Sequence, residues 1–331
     1  MDFGDCLNQD DSRIPPCLII GYSRLDGVIR NIHSARAAKA PRIYVSLDGP
    51  LNLEIAKIQT EILDQIKIIE SNHQVDITLR VVDRNQGVAL GVIGAIEWFF
   101  SLEDEGVILE DDLQIHDSFF DYCSQGLDFY RDDDRVLMVC GSQYFPGISG
   151  DSVIWTSIPQ IWGWATSRRK WNLIRDYIWG LSDDARLNNS FSKENGFWST
   201  GARRCITGKV DTWDLLLVFV FLLHKRFAII PPQNLISNIG YDSYASHTAE
   251  RIFPLGLELC NCGCRVNWER LPNKLYTASF ENALYTKVYR LSNRHRISLL
   301  LSSLLDWWRF PKSKRLPPLI SRWKESIATN P

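Results

Sequence analysis

"GVILEDDLQIHDSFF", residues 106–120, sets three carboxylates, Glu110, Asp111 and Asp112, directly behind an apolar run. Adjacent like charges repel, and a carboxylate is costly to bury without a partner. The run reads as a buried strand that stops at its acids, and its neighbours show what kind of sheet it belongs to. "PCLIIGYSR" (16–24) is a short apolar strand ending in polar residues, and "LDGVIRNIHSARAA" (25–38) has helical periodicity. "RIYVSLDGP" (42–50) is a second strand and "NLEIAKIQTEILDQIKIIES" (52–71) an amphipathic helix. "DITLRVVD" (76–83) is a third strand, and "GVALGVIGAIEWFFS" (87–101) a helix that opens on small residues. Strand and helix alternate, which predicts an α/β class with βαβ units and a mostly parallel central sheet. Such sheets bind ligands beyond the carboxyl ends of their strands. Polar residues gather at those ends: Tyr22, Ser23 and Arg24; Asp48; Asp83, Arg84 and Asn85; and the three acids.

Beyond residue 113 the pattern loosens. It predicts a helix over 118–132, a strand over 135–144, and an aromatic-glycine turn leading into a basic helix over 161–174. A further helix follows over 211–226, with a strand and loop over 227–240. The first 270 residues contain no internal repeat and no low-complexity linker at which to divide them.

The 331 residues suffice for one large domain or two closely packed ones, and 45% hydrophobic with 23% charged residues is ordinary for a globular chain. A net charge of −2 gives no global attraction to nucleic acid. The longest apolar run, "LLLVFVFLL" (215–223), is too short to cross a bilayer, and the acidic, polar start does not read as a signal peptide, so a cytoplasmic location is expected. Five scattered cysteines suit buried, reduced thiols, whereas Cys260, Cys262 and Cys264 form a C-x-C-x-C run without the second pair a zinc site needs.

Taken alone, Glu110–Asp112 fits either a solvated strand end or a clamp in which a hard divalent cation holds a diphosphate. Alternation along the strand would turn Glu110 and Asp112 to one side, with Asp111 turned away or bonded to backbone. Asp211 and Asp214 stand three apart at a helix start. One reading makes both structural; the other makes Asp211 the N-cap and Asp214 a base. Trp162, Gly163 and Trp164 fit a sugar platform or a core turn, and Arg168, Arg169 and Lys170 an anion contact or a solvated basic face.

"VILEDDLQIHDSFFDYCSQ" resembles the stretch around the metal-binding acidic triad of N-acetylglucosaminyltransferase I, an inverting glycosyltransferase of the nucleotide-diphospho-sugar (GT-A) fold. "LIIGYSRLDGVIRNI", "IYVSLDG" and "RNQGVALGVIGAI" are similar to upstream segments of that family, and "SIPQIWGWATSRRKW" and "DTWDLLL" to downstream ones. "PPQNLISNIGYDSYASHT" resembles a closing segment of related bacterial glycosyltransferases. The resemblance implies a GT-A domain over 15–270, with a nucleotide-binding half (15–113) and an acceptor half (114–270). It implies a Mn²⁺ or Mg²⁺ cofactor bound by Asp112, with Glu110 and Asp111 holding ribose, donor sugar or metal waters. Asp48 would face uracil, Arg24 would meet phosphate or ribose, Trp162, Gly163 and Trp164 would lie at a sugar, His247 at the metal or diphosphate, and Asp214 would be the base. The implied activity moves a sugar from a UDP-sugar, such as UDP-N-acetylglucosamine, to a glycan or lipid-linked hydroxyl, as in polysaccharide synthesis. Asp214 departs from the family pattern, being followed by Leu215 and Leu216 where the family has an acid and an aromatic. Alternatives are a sugar-nucleotide-binding protein without catalysis and a nucleotidyltransferase.

Residues 271–331 read as a basic amphipathic extension. From Thr286 onward ten Lys or Arg stand against two acids, a net of +8 that leaves −10 for the rest. Apolar stretches and Trp307-Trp308 beside those cations predict either a helix at a membrane surface or a terminal helix packed on the domain.

Overall fold

The computed structural model describes residues 13–73, 75–181, 193–240, 258–261, 265–289 and 318–329. Its first half follows the alternation in the sequence: β1 (Cys17–Gly21), α1 (Leu25–Ala37), β2 (Ile43–Leu47), α2 (Leu53–His73), β3 (Ile77–Val81), α3 (Val88–Leu102) and β4 (Glu105–Glu110). The second half adds β5 (Leu113–Ile115), α4 (Phe119–Phe129), β6 (Val136–Cys140), β7 (Ile154–Thr156), β8 (Trp164–Ser167) and α5 (Arg168–Gly180). After these come α6 (Lys193–Ile206), α7 (Asp214–His224), β9 (Phe227–Ile230), β10 (Ile236–Asn238), α8 (Lys274–Ala283) with a π-helical turn over Leu284–Val288, and α9 (Pro318–Thr329).

Eight strands form one sheet in the order β3-β2-β1-β4-β8-β6-β9-β7, and β10 pairs with β5 in a two-stranded ribbon. β3, β2, β1 and β4 are mutually parallel, β8 runs against both β4 and β6, and β7 runs against β9. The fold is therefore α/β with a mostly parallel central sheet.

Strand parity assigns each side chain to a layer. Cys17, Ile19, Val45, Val107 and Leu109 pack toward α1, α2 and α4. Leu18, Tyr44, Ile108 and Trp164 pack toward α3 and α5–α7. α1 presents Val28, Ile32 and Ala35 at helical spacing, and α3, apolar nearly all round, is buried on most of its surface. By the same parity Glu110 follows Ile108 toward the α3 and α7 side, and Asp111 follows Leu109 toward α1.

The described parts of 271–331 are not an appendage. Phe280, Leu284, Val288, Ile320 and Trp323 are fully buried in the core that contains α3, α5, α6 and α7. Residues 290–317, with Trp307-Trp308, lie outside the described residues. Among the described residues no helix is long and apolar enough to cross a membrane. Cys17, Cys123, Cys140 and Cys205 are free and buried, Cys260 is half-buried, and Cys262 and Cys264 lie outside the described residues.

Candidate active site at the carboxyl ends of the strands

The strand ends at Glu110, and Asp111 and Asp112 form the turn that follows. Four sets of bonds fix the backbone of this turn. Asn31 Nδ2 on α1 donates to Glu110 O at 2.9 Å, Ile239 N donates to Asp112 O at 2.8 Å, and Arg30 Nε donates to Leu113 O at 3.4 Å. The β5–β10 ribbon supplies the fourth, pairing Leu113 with Asn238. α1 passes so close that a Cβ on Gly27 would stand 1.6 Å from Asp111 O. Only glycine fits there.

The three acids have different surroundings. Asp111 is 6% exposed, and its carboxylate accepts from Tyr22 N at 2.7 Å and from Arg24 N at 3.4 Å, with Arg24 Nη1 at 3.5 Å. It pins the β1–α1 loop. The expected contact of Asp111 with ribose or sugar is corrected accordingly, since its oxygens face backbone donors within the protein. Burial raises its pKa against the pull of those donors and of Arg24.

Asp112 is half-buried. Its Oδ2 accepts from Asn238 Nδ2 at 3.2 Å, and its Oδ1 is buried with no hydrogen-bond partner among the described residues. Burial, helped by the charge of Asp111, pushes its pKa up to about 6, against the pull of Arg24 and Asn238. Glu110 is driven well above the carboxylate range, first by burial and then by the charges of Asp112, Asp111 and Asp214. Asp214, 102 positions along from Asp112, is thus gathered with Glu110 on the α7 side of the sheet.

Arg24 is the cation of the cluster. Its charge pulls all three acids downward, and its Nη2 donates to Gly240 O at 3.1 Å. Gly240 lies against Asp112, where a Cβ would be 2.6 Å from the Asp112 Cβ. Asp48 lies at the end of β2, and both its carboxylate oxygens accept from Gln86 N, at 3.1 and 3.0 Å. Burial raises its pKa despite those bonds and the charge of Arg80. Gln59 Nε2 ties this corner together by donating to Tyr22 O at 3.1 Å and to Asp48 O at 2.8 Å.

Asp214 is the first residue of α7. Its Oδ1 accepts from the Thr212 hydroxyl and, at 2.9 Å, from Leu215 N. The sequence-based assignment of Asp211 as N-cap of its own helix is corrected: it accepts from Val88 N at 2.8 Å and Ala89 N at 3.1 Å, capping α3 instead. Burial of Leu216–Phe221 sets where α7 starts, and this leaves Asp211 in the approach segment, within reach of the α3 N-terminus.

Gly163 has φ of 62°, and a Cβ there would be 2.6 Å from Ile236 Cδ1, so it serves a tight turn into β8. Trp162 is half-buried, edge-on to Tyr144 at 5.5 Å. Trp164 is 1% exposed, packed by Trp171 and Trp213 at 6.3 and 6.0 Å, and offers no face to a sugar, which corrects that expectation. The basic helix start is solvated at Arg168 and Arg169, as one reading of the sequence has it, and buried only at Lys170. Arg168 pairs with Asp104 at 3.0 Å, Arg169 pairs with Asp134, and buried Lys170 donates to Tyr130 O at 2.6 Å. Burial lowers the Lys170 pKa to about 8. His247 lies outside the described residues.

Sequence reasoning passed over Asn238, Gly240, Asn31 and Gln59. "NIG" (238–240) was the available signal, a polar residue and a glycine closing an apolar run. Among the described residues no three ligating side chains converge as a ready cation cage. The donors at hand are hard carboxylate oxygens, which suit Mg²⁺ or Mn²⁺ rather than softer metals.

No protein-family model matches the chain, and no curated protein matches it in sequence. Its path is similar to several solved structures. One, described as a glucose-1-phosphate thymidylyltransferase from Bacillus anthracis, is 12% identical with a TM-score of 0.33 over 49% of this chain and 74% of that one. Another, TarS 1–349 of S. aureus, is 8% identical with a TM-score of 0.40 over 68% and 60%. A third, HddC from Yersinia pseudotuberculosis, is 10% identical with a TM-score of 0.28 over 47% and 77%.

Proposed function

We propose that this chain is a metal-dependent, inverting glycosyltransferase of the GT-A fold that moves a sugar from a UDP-sugar to a glycan or lipid-linked hydroxyl. One observation carries the reading: Asp112 presents a buried, unpartnered carboxylate oxygen beside Glu110, with Asp214 close enough to raise the Glu110 pKa. A protein gains nothing in stability from gathering such acids, and clusters of this kind mark functional sites.

The donor set fits a divalent cation with Asp112 as its direct protein ligand and Glu110 oriented toward its waters or the sugar. A bound Mn²⁺ or Mg²⁺ would neutralise the charge that develops on the diphosphate leaving group. The protein's own groups supply the rest. Arg24 adds positive charge beside the diphosphate, and Asp48 with the 84–87 loop forms the wall for the base. Asp214 takes the proton of the acceptor hydroxyl as its oxygen attacks the anomeric carbon from the face opposite the departing UDP. The short β1–α1 loop argues against a nucleotidyltransferase, because the backbone N–H groups of Tyr22 and Arg24 already donate to Asp111 and cannot cradle a phosphate.

The test is a thermal-shift and hydrolysis screen of nucleotide sugars with and without Mn²⁺, starting from UDP-N-acetylglucosamine. UDP should stabilise the protein only when metal is present. Asp112→Asn should abolish that response, whereas Asp214→Asn should keep it and lose transfer by about a hundredfold or more. A screen in which no UDP-sugar responds to metal overturns the proposal.

A further inference from the structure

α3 has no acid in its own first turn, yet two carboxylates from distant segments sit at its N-terminus. Asp211 takes Val88 N and Ala89 N. Asp48 takes Gln86 N and lies against Gly91, where a Cβ would be 3.2 Å from its carboxyl carbon. Between them Gly87 has φ of 83°, and Asp211 Oδ2 stands 2.5 Å from where its Cβ would be, so no other residue fits without moving Asp211. Asn85 braces the same loop, its Nδ2 donating to Gly49 O at 2.9 Å and its Oδ1 accepting from Gly87 N at 3.2 Å. On the other side, Asp211 is three residues from Asp214, and Thr212 between them donates to the Asp214 carboxylate. An unbroken run of short constraints therefore links Asp48 to Asp214 through the α3 N-terminus.

We infer that Asp211 is a positioning residue, the clamp that holds the nucleotide-side loop and the candidate base at one spacing. Its catalytic meaning rests on the function proposed above; the clamp itself is a property of the fold. Two helix N–H groups lose their acceptor if the carboxylate is removed, and α3 can then part from the segment that carries Asp214. Asparagine keeps a carbonyl oxygen for the same donors and caps about as well as aspartate, so it should restore the clamp.

The experiment is hydrogen exchange by mass spectrometry on the nucleotide-free full chain as wild type, Asp211→Ala and Asp211→Asn. In Asp211→Ala, peptides over 85–91 and over 211–217 should both exchange faster, by about tenfold, while β1 and β4 peptides stay protected. Asp211→Asn should return both to near wild type. Unchanged exchange in the alanine variant, or acceleration at only one of the two segments, overturns the clamp. With UDP-sugar and Mn²⁺ the alanine variant should lose kcat by roughly tenfold or more, with a smaller change in donor KM and recovery in the asparagine variant. An unaltered kcat beside accelerated exchange overturns the positioning role. If wild type itself ignores UDP and metal, the proposed function falls, and the exchange data still decide the clamp.

Discussion

At the scale of single residues, the acidic turn divides its labour by parity and neighbour. Asp111 points to α1 and is consumed by backbone donors, while Asp112 keeps an unpartnered oxygen and Glu110, beside it, is pushed toward its protonated form by burial and the neighbouring acids. Such a site costs stability, and the cost has a pH signature. The folded-state pKa of Asp112, near 6, exceeds its ordinary value of 3.8, so between those limits the folded protein binds the extra proton. Stability of the metal-free protein therefore falls as pH rises through that window. Asp112→Asn removes the charge and should stabilise metal-free protein at pH 7 by up to about 3 kcal/mol, with most of the gain gone near pH 4. Urea titrations at both pH values check this, and a variant less stable than wild type at pH 7 contradicts it. On the proposed function, metal-dependent UDP binding should show the matching linkage, weakening as pH drops below about 6 because the Asp112 carboxylate is lost to protonation.

At the scale of elements, the first four strands and three helices were legible because their period was clean and their packing local to βαβ units. β5, β7, β8 and β10, of three or four residues each, were not. They exist through pairing with distant strands, as Ile236 does with Ile115 and Trp164 with Ile108, and a window of sequence carries no record of that. The same holds at the site. Glu110, Asp112 and the polar strand ends were readable, but the capture of Asp111 by Tyr22 N and the reach of Asp211 to α3 depend on tertiary contact. Glycine 27 shows how tightly α1 and the acidic turn are matched. Gly27→Ala puts a methyl group 1.6 Å from Asp111 O, and should cost about 2–3 kcal/mol or more as α1 is pushed off the turn. Gly180, at the end of α5, has nothing within 4 Å of a built Cβ. Gly180→Ala should be neutral or stabilise by about 0.5–1 kcal/mol. Thermal denaturation of the pair separates close approach from glycine's general effect; equal behaviour of the two would contradict the packing argument.

At the scale of the whole molecule, α9 completes the core that contains α3, α5, α6 and α7. α9 carries Leu319, Ile320, Trp323 and Ile327 on one stripe, and the Trp323 ring lies 6.2 Å from that of Trp171 and 5.9 Å from that of Trp179. Trp171 in turn touches Trp213, one residue before Asp214, so α9 supports the wall on which the candidate base stands. In the sequence this stripe, interleaved with Arg322 and Lys324, reads equally well as a surface-seeking amphipathic helix, because composition does not say whether an apolar face meets lipid or protein. Burial decides it for α9, and a stability measurement follows. Trp323 is fully buried, and Trp323→Ala should cost about 3–5 kcal/mol, while Arg322→Ala beside it, on the exposed face, should stay within about 0.5 kcal/mol. A loss of less than about 1 kcal/mol at Trp323 would mean that α9 is dispensable to the core. A helix whose business is a membrane surface predicts the opposite pair of results, intact stability in both variants and weaker binding to anionic vesicles.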